Sequence, residues 1–196
     1  MEFAVIAESK LRLFAFKLYH GPACVSSVKR SKRCEKDLFK TLPLEIAVAI
    51  GSNLGDRQAN LTTAVSALKC VLQEIRVSDF VETVPEGGVN QPDYLNAAVI
   101  GRSAELPMRL MEAFQDIERS CGRTRPYRRA SRTLDIDLIL MGDIVIKSPR
   151  LEVPHPRFRD RSFVLEPLCS IAPDLVDPIT GATVLQLSRT LRETSA

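Results

Sequence analysis

Apolar and polar residues alternate with two different periods along this chain, and the switches between those periods mark out its elements. Ile46-Ala-Val-Ala-Ile50 is a short apolar run closed by Gly51, the pattern of a buried strand. After Asp56, the residues Leu61, Ala64, Val65, Leu68, Val71, Leu72 and Ile75 recur at helical spacing, which predicts an amphipathic helix. Val77 to Val84 is rich in β-branched residues and reads as a second strand. The glycines and prolines of Pro85 to Pro92 mark a loop, and Tyr94 to Ile100 reads as a third strand.

Pro107 suits the first turn of a second helix, whose apolar stripe is Leu110, Met111, Phe114 and Ile117 and whose end is set by Gly122. Residues 123–132 form a basic loop. Thr133 to Met141 is a fourth strand, closed by a turn at Gly142-Asp143. The order βαββαβ predicts an α+β fold, with helices packed on an antiparallel sheet in a ferredoxin-like sandwich. Residues 150–196 add a loop, a helix from about Arg161 to Ile171, and a less regular C-terminus.

Residues 1–43 break the pattern. They carry nine Lys/Arg against four Asp/Glu and include the run Lys29-Arg-Ser-Lys-Arg33. No small-residue cleavage site follows an apolar stretch, so a secretory signal is not expected. An organelle transit peptide is the alternative, weakened by Glu2, Glu8, Glu35 and Asp37; the preferred reading is an extension, either disordered or the product of a start codon set too far upstream, followed by one domain over 44–196. No run of 18 or more apolar residues suggests a membrane span. Five cysteines at irregular spacing point to reduced thiols and a cytoplasmic location.

Beyond residue 43 the charge is nearly balanced, with 18 basic and 20 acidic residues, but sixteen of the basic ones are arginine. A planar guanidinium fork suits bidentate phosphate recognition. A nucleic-acid binder would normally carry a net basic domain, so nucleic acid is not an expected partner.

The chemistry concentrates in three segments. In Arg132-Thr-Leu-Asp135-Ile-Asp137-Leu138, Asp135 and Asp137 lie two apart on a strand and so project from one face. Such a pair suits a hard divalent cation shared with phosphate oxygens; a solvated or arginine-paired acidic face is the alternative. Six arginines, Arg119, Arg123, Arg125, Arg128, Arg129 and Arg132, fall in the fourteen residues leading into that strand. Arg123, Arg125 and Arg132 read as phosphate contacts, and Arg119 and Arg128 as surface charges. Between Arg150 and Arg161, His155 sits between two prolines among four arginines, a second anion-facing cluster. Tyr94 and Asn96 share a strand face, where an aromatic plane beside an amide suits a flat polar heterocycle; Tyr94 could equally be core. Gly51-Ser-Asn-Leu-Gly55-Asp56 matches no phosphate-loop motif and reads as a turn.

In order, Ile50-Gly-Ser-Asn-Leu54, Gln91-Pro-Asp-Tyr-Leu-Asn-Ala-Ala98, Arg132-Thr-Leu-Asp-Ile-Asp-Leu138, Val153-Pro-His-Pro156 and Arg161-Ser-Phe-Val-Leu-Glu-Pro-Leu168 resemble the 6-hydroxymethyl-7,8-dihydropterin pyrophosphokinase family. The resemblance implies transfer of pyrophosphate from Mg-ATP to the pterin alcohol in folate biosynthesis, with AMP released. It implies that Asp135 and Asp137 bind two Mg²⁺ ions, and that Tyr94 and Phe163 sandwich a pterin hydrogen-bonded by Asn96 and backbone near Thr83. It implies an ATP site of Gln115, Glu118, Arg125, Leu138, Arg150, His155 and Arg161, with Arg123 and Arg132 acting on the phosphates. The expected partners are these small molecules alone, with no membrane, and the chain is expected to be a monomer. The loop sequence Arg128-Arg129-Ala130-Ser131-Arg132 lacks the aromatic that the family usually carries there, so a catalytically impaired ATP- and pterin-binding paralogue is the alternative.

Overall fold

The computed structural model of the protein describes residues 43–86, 91–122 and 131–195. The extension expected at 1–43, apart from Pro43, lies outside them, as do Arg123, Arg125, Arg128 and Arg129.

Strand β1, Leu44–Ser52, runs through the middle of the sheet because both of its faces are apolar or small. Ile46, Val48 and Ile50 point one way, and Ala47, Ala49 and Gly51 the other. It pairs antiparallel with β4, Tyr94–Ser103, on one side and with β5, Asp135–Met141, on the other. Strands β2, Gln73–Val77, and β3, Val81–Thr83, lie along the far side of β4, so the order is β2-β4-β1-β5.

Helix α1, Arg57–Leu68, packs on β1 and β4 through Leu61, Ala64 and Leu68. Its neighbour α2, Pro107–Ser120, packs on β5. Asp56 caps α1 by accepting the Ala59 N–H at 2.9 Å. On the other face, Ala47, Ala98 and Ile100 meet Phe158, Val164, Leu165, Leu168 and Val184. These last come from a short 3₁₀ turn, Phe158–Asp160, from α3, Ser162–Ile171, and from α4, Val184–Ser195. This second cluster covers only part of its face, and the uncovered end carries the polar side chains.

Four local expectations change. Helix α1 stops at Leu68 rather than running on to Ile75, because the Cys70 and Val71 N–H groups tighten onto the Ala67 and Leu68 carbonyls. Leu72 is then pressed against Gly101, where an added Cβ would sit 2.9 Å from the Leu72 Cβ, and Ile75 falls in β2. The second strand is two strands. Ser78 interrupts it by accepting the Ala98 N–H on its hydroxyl at 2.9 Å, which substitutes a side chain for the ladder's own acceptor. Strand β5 begins at Asp135 rather than Thr133, where pairing with Gly51 starts. The C-terminus is regular: Thr183 and Gln186 form a reciprocal capping box, 2.8 and 3.2 Å, that starts α4. Between β5 and α3 lies a small ladder of β6, Ile146–Lys147, with β7, Glu152–Val153.

Candidate active site

Register across the central strands composes the uncovered end. Asn96 on β4, Gly51 on β1 and Asp135 on β5 stand in one row, and Ala98, Ala49 and Asp137 in the next. Residues paired across strands share a face, so an amide flanks one side of a floor of small residues and two carboxylates flank the other. The separation is two strand spacings, about 10 Å. A Cβ at Gly51 would lie 2.7 Å from Asn96 Oδ1, so a larger residue in that floor displaces the amide. Tyr94 stands two residues before Asn96 on the same face, and Asn96 Nδ2 donates to Thr83 Oγ1 at 2.7 Å.

On the acidic side each carboxylate faces a guanidinium. Arg132 Nη1 lies 2.5 Å from Asp135 Oδ2, and Arg161 Nη1 lies 3.7 Å from Asp137 Oδ2. Burial favours the neutral form of Arg132, yet Asp135, helped by Tyr94 and Asp137, outweighs it and raises the pKa, so the side chain stays charged. Arg161 also lies over the Phe163 ring, 5.4 Å from its centroid, and its buried Nε makes no hydrogen bond. One arginine therefore joins an aromatic plane to a carboxylate and holds a donor in reserve.

His155 is hooked to β5 by its N–H, which donates to the Ile139 carbonyl at 2.9 Å. Its Nδ1 accepts the Arg157 N–H at 3.2 Å, so the neutral ring carries its proton on Nε2. Burial, then Arg161 and Arg157, push its pKa down to about 4 against the pull of Asp135.

The structure thus brings Thr83, Tyr94, Asn96, Arg132, Asp135, Asp137, His155, Arg161 and Phe163 to one end of the sheet. Four other expected residues are placed differently. Glu118 is buried, and its Oε1 accepts the Ile136 N–H at 2.7 Å on the outer edge of β5. Gln115 is exposed one turn earlier on α2, and Arg150 is exposed between β6 and β7. Leu138 buries its side chain opposite Val48, away from the carboxylates. Arg123 and Arg125 lie outside the described residues. Sequence reading missed Asn53, which is 1% exposed and contacts both halves of the site.

The carboxylates fit a hard divalent ion. Among the described residues no three or more His, Cys, Asp or Glu side chains gather as a complete metal cage. A two-carboxylate seat is what magnesium uses when phosphates complete its shell.

A floor of small residues flanked by an amide on one side and by carboxylates and guanidiniums on the other sits at one end of a small α+β domain. The comparisons with known proteins name the kind. The family model described as 7,8-dihydro-6-hydroxymethylpterin-pyrophosphokinase (HPPK) matches residues 47–173. The chain belongs to that family. A 2-amino-4-hydroxy-6-hydroxymethyldihydropteridine pyrophosphokinase of Synechocystis is 40% identical over 142 residues, covering 71% of this chain and 72% of that protein. The Bacillus subtilis enzyme of the same name is 39% identical over 137 residues, covering 69% and 82%. The mitochondrial folate synthesis bifunctional protein of Arabidopsis thaliana is 36% identical over 179 residues, covering 89% of this chain and 32% of that one. Among solved structures, a Plasmodium falciparum HPPK-DHPS triple mutant aligns with TM-score 0.62 at 14% identity over 79% of this chain. At that identity the likeness concerns the fold alone, and this chain spans 44% of that longer one.

Proposed function

We propose that this chain carries out its family's transfer as follows: the hydroxymethyl oxygen of 6-hydroxymethyl-7,8-dihydropterin attacks the β-phosphorus of ATP, and AMP leaves. ATP is the co-substrate. The observation that carries the division of labour is the register row Asn96–Gly51–Asp135, which sets a heterocycle-binding edge and a phosphate-binding edge about 10 Å apart on one rigid sheet.

Tyr94 and Phe163 take the two faces of the pterin, and Asn96, oriented by Thr83, reads its polar edge. Gly51 keeps the floor open to the ring. Asp135 and Asp137 seat magnesium, two ions in the full complex, which supplies charge neutralisation at the transferring phosphates. Arg132 and Arg161 pair with those carboxylates. Both guanidiniums are thereby held beside the phosphate position, where preorganised donors stabilise developing charge without further rearrangement. Arg123 joins Arg132 on the phosphates. His155 offers its Nε2–H, Arg150 and Gln115 serve ATP from the exposed surface, and Arg125 is assigned to ATP as well. Leu138 contributes edge backbone groups to the nucleotide, while Glu118 keeps that edge in shape. No side chain of the row is a strong base, and positioning supplies most of the rate.

The strand order supports assigning the sandwich to the ferredoxin-like type. The location is read as cytoplasmic, a compartment in which Cys70, Cys121 and Cys169 stay reduced. Cell fractionation tests that location, and a mitochondrial signal would overturn it. No described helix is long and apolar enough to cross a membrane.

The decisive experiment incubates the full chain with Mg-ATP and the pterin alcohol and quantifies AMP. Wild-type release well above that of Asp135→Ala supports the reading. ADP in place of AMP refutes it, and tight binding of both substrates without turnover identifies the impaired paralogue.

A further inference from the structure

The strand that carries the small-residue floor ends in a buried amide that holds both edges of the site. Asn53 follows β1 directly. Its Oδ1 accepts the Arg132 N–H at 2.8 Å, and its own N–H donates to the Arg132 carbonyl at 3.1 Å. Arg132 is thus gripped at both backbone groups, which sets the direction its side chain takes toward Asp135. The same amide turns its Nδ2 the other way, toward the Pro92 carbonyl at 3.2 Å, Ser131 Oγ at 3.3 Å and Gln91 Oε1 at 3.5 Å. Pro92 lies two residues before Tyr94 and four before Asn96. One side chain therefore fixes the backbone under the heterocycle edge and under the phosphate edge together.

We propose that Asn53 is a positioning residue for the transfer, acting through Arg132 by holding its backbone at a fixed distance from the Gln91–Asn96 segment. This inference rests on the proposed roles of Arg132 and Tyr94. The chemistry requires an amide. Only Asn or Gln combines one acceptor with two N–H donors, and Gln is a methylene too long for a site that is 1% exposed. Asp would keep the acceptor for Arg132 but lose the donors to Pro92 and Ser131. Ala would leave the Arg132 N–H and the Pro92 carbonyl with no protein partner at this point. The distance that matters is from the pterin oxygen to the phosphorus, where a shift of 1 Å costs on the order of 10²-fold in rate.

The test uses the full chain as wild type, Asn53→Ala, Asn53→Asp, Arg132→Ala and the double variant Asn53→Ala/Arg132→Ala. AMP release is followed at varied Mg-ATP and varied pterin alcohol, and the folded fraction is counted by circular dichroism. A residue that only stabilises the fold changes that fraction and leaves kcat per folded molecule alone. The expectation is a fall in kcat per folded molecule on the order of 10²-fold for Asn53→Ala and nearly as much for Asn53→Asp. Because Asn53 acts largely through Arg132, the double variant should lose clearly less than the product of the two single losses. Asn53 variants with wild-type kcat, or losses that multiply, overturn the proposal. Should both Asn53 variants fail to fold, Ser131→Ala removes one contact of the amide from a half-buried position. A severalfold loss of kcat there supports the proposal, and a wild-type value overturns it. If the wild type itself releases no AMP, the proposed function falls, and titration of Mg-ATP judges Asn53 instead. Non-additive weakening with Arg132→Ala upholds its role, and unchanged affinity rejects it.

Discussion

Arg159 and Asp177 meet side-on inside the protein: Nε donates to Oδ2 at 2.7 Å and Nη2 to Oδ1 at 2.8 Å, with the Asp177 side chain fully buried. Thr180 Oγ1 and the Ile179 N–H complete the carboxylate's shell at 2.6 and 3.2 Å. The pair joins the 3₁₀ turn after His155 to the turn that leads into α4, so it braces the wall behind the site. Asp177→Ala leaves a part-buried guanidinium without its carboxylate and should cost about 1–3 kcal/mol in urea unfolding at neutral pH. Replacing both partners by apolar residues should recover much of it.

The same carboxylate sets an acid limit. Burial alone would raise its pKa, but the hydrogen bonds from Arg159, Thr180 and Ile179, with the Arg159 charge, bring it below the ordinary value. A folded pKa under the unfolded one means that this stabilisation is complete above about pH 4 and is lost as pH falls through the folded value. The gap in unfolding midpoint between wild type and Asp177→Asn should therefore narrow below about pH 4.

His155 predicts a second pH effect with its own window. Its folded pKa, about 4, lies below the free value of 6.5. Between those limits the unfolded chain takes up a proton that the folded chain refuses, so stability falls as pH drops from 6.5 toward 4. His155→Asn should flatten that part of the stability curve. In the wild type the ring stays neutral through pH 6, so no loss of activity between pH 8 and 6 should trace to it.

Gly51→Ala tests the floor. The new Cβ would stand 2.7 Å from Asn96 Oδ1, and the amide must move to admit it. Overpacking of this kind costs about 1–3 kcal/mol, and a loss of that size in pterin binding is roughly 5- to 150-fold. The KM for ATP should hold steady, since Asp137 and Arg161 lie on the other edge. A parallel fall for both substrates would contradict this arrangement.

Glu118→Ala separates support from contact. It removes the acceptor of the buried Ile136 N–H and should lower stability by about 1–3 kcal/mol in thermal or urea unfolding. Glu118→Gln keeps an acceptor and should recover most of that stability.

The sequence made β1, α2 and the two-residue spacing of Asp135 and Asp137 readable because each is a local, periodic signal. The split at Ser78 was hidden, since only contact with Ala98 across the sheet shows that a hydroxyl replaces a backbone partner there. Helix α1 was overextended because Leu72 and Ile75 fit its period by chance while packing in a turn and a strand. The capping-box signal for α4, Thr183-Val-Leu-Gln186, is present in the sequence but is too short to stand out without the helix it starts. Asn53 lies within the Ile50–Leu54 segment that carries the resemblance, but its role was hidden there: its partners lie 38 to 79 residues away, and only the folded chain brings them to one amide.

The rim of β5 has one more implication. Glu118 takes the Ile136 N–H, and the His155 N–H takes the Ile139 carbonyl, so two of the groups that could recruit a foreign strand are already engaged. At the opposite margin, β2 shows Gln73, Glu74 and Arg76, charged and polar side chains that disfavour stacking of one copy against another. The sheet is thereby guarded at both borders, which favours a chain that stays dispersed at high concentration instead of growing into fibrils.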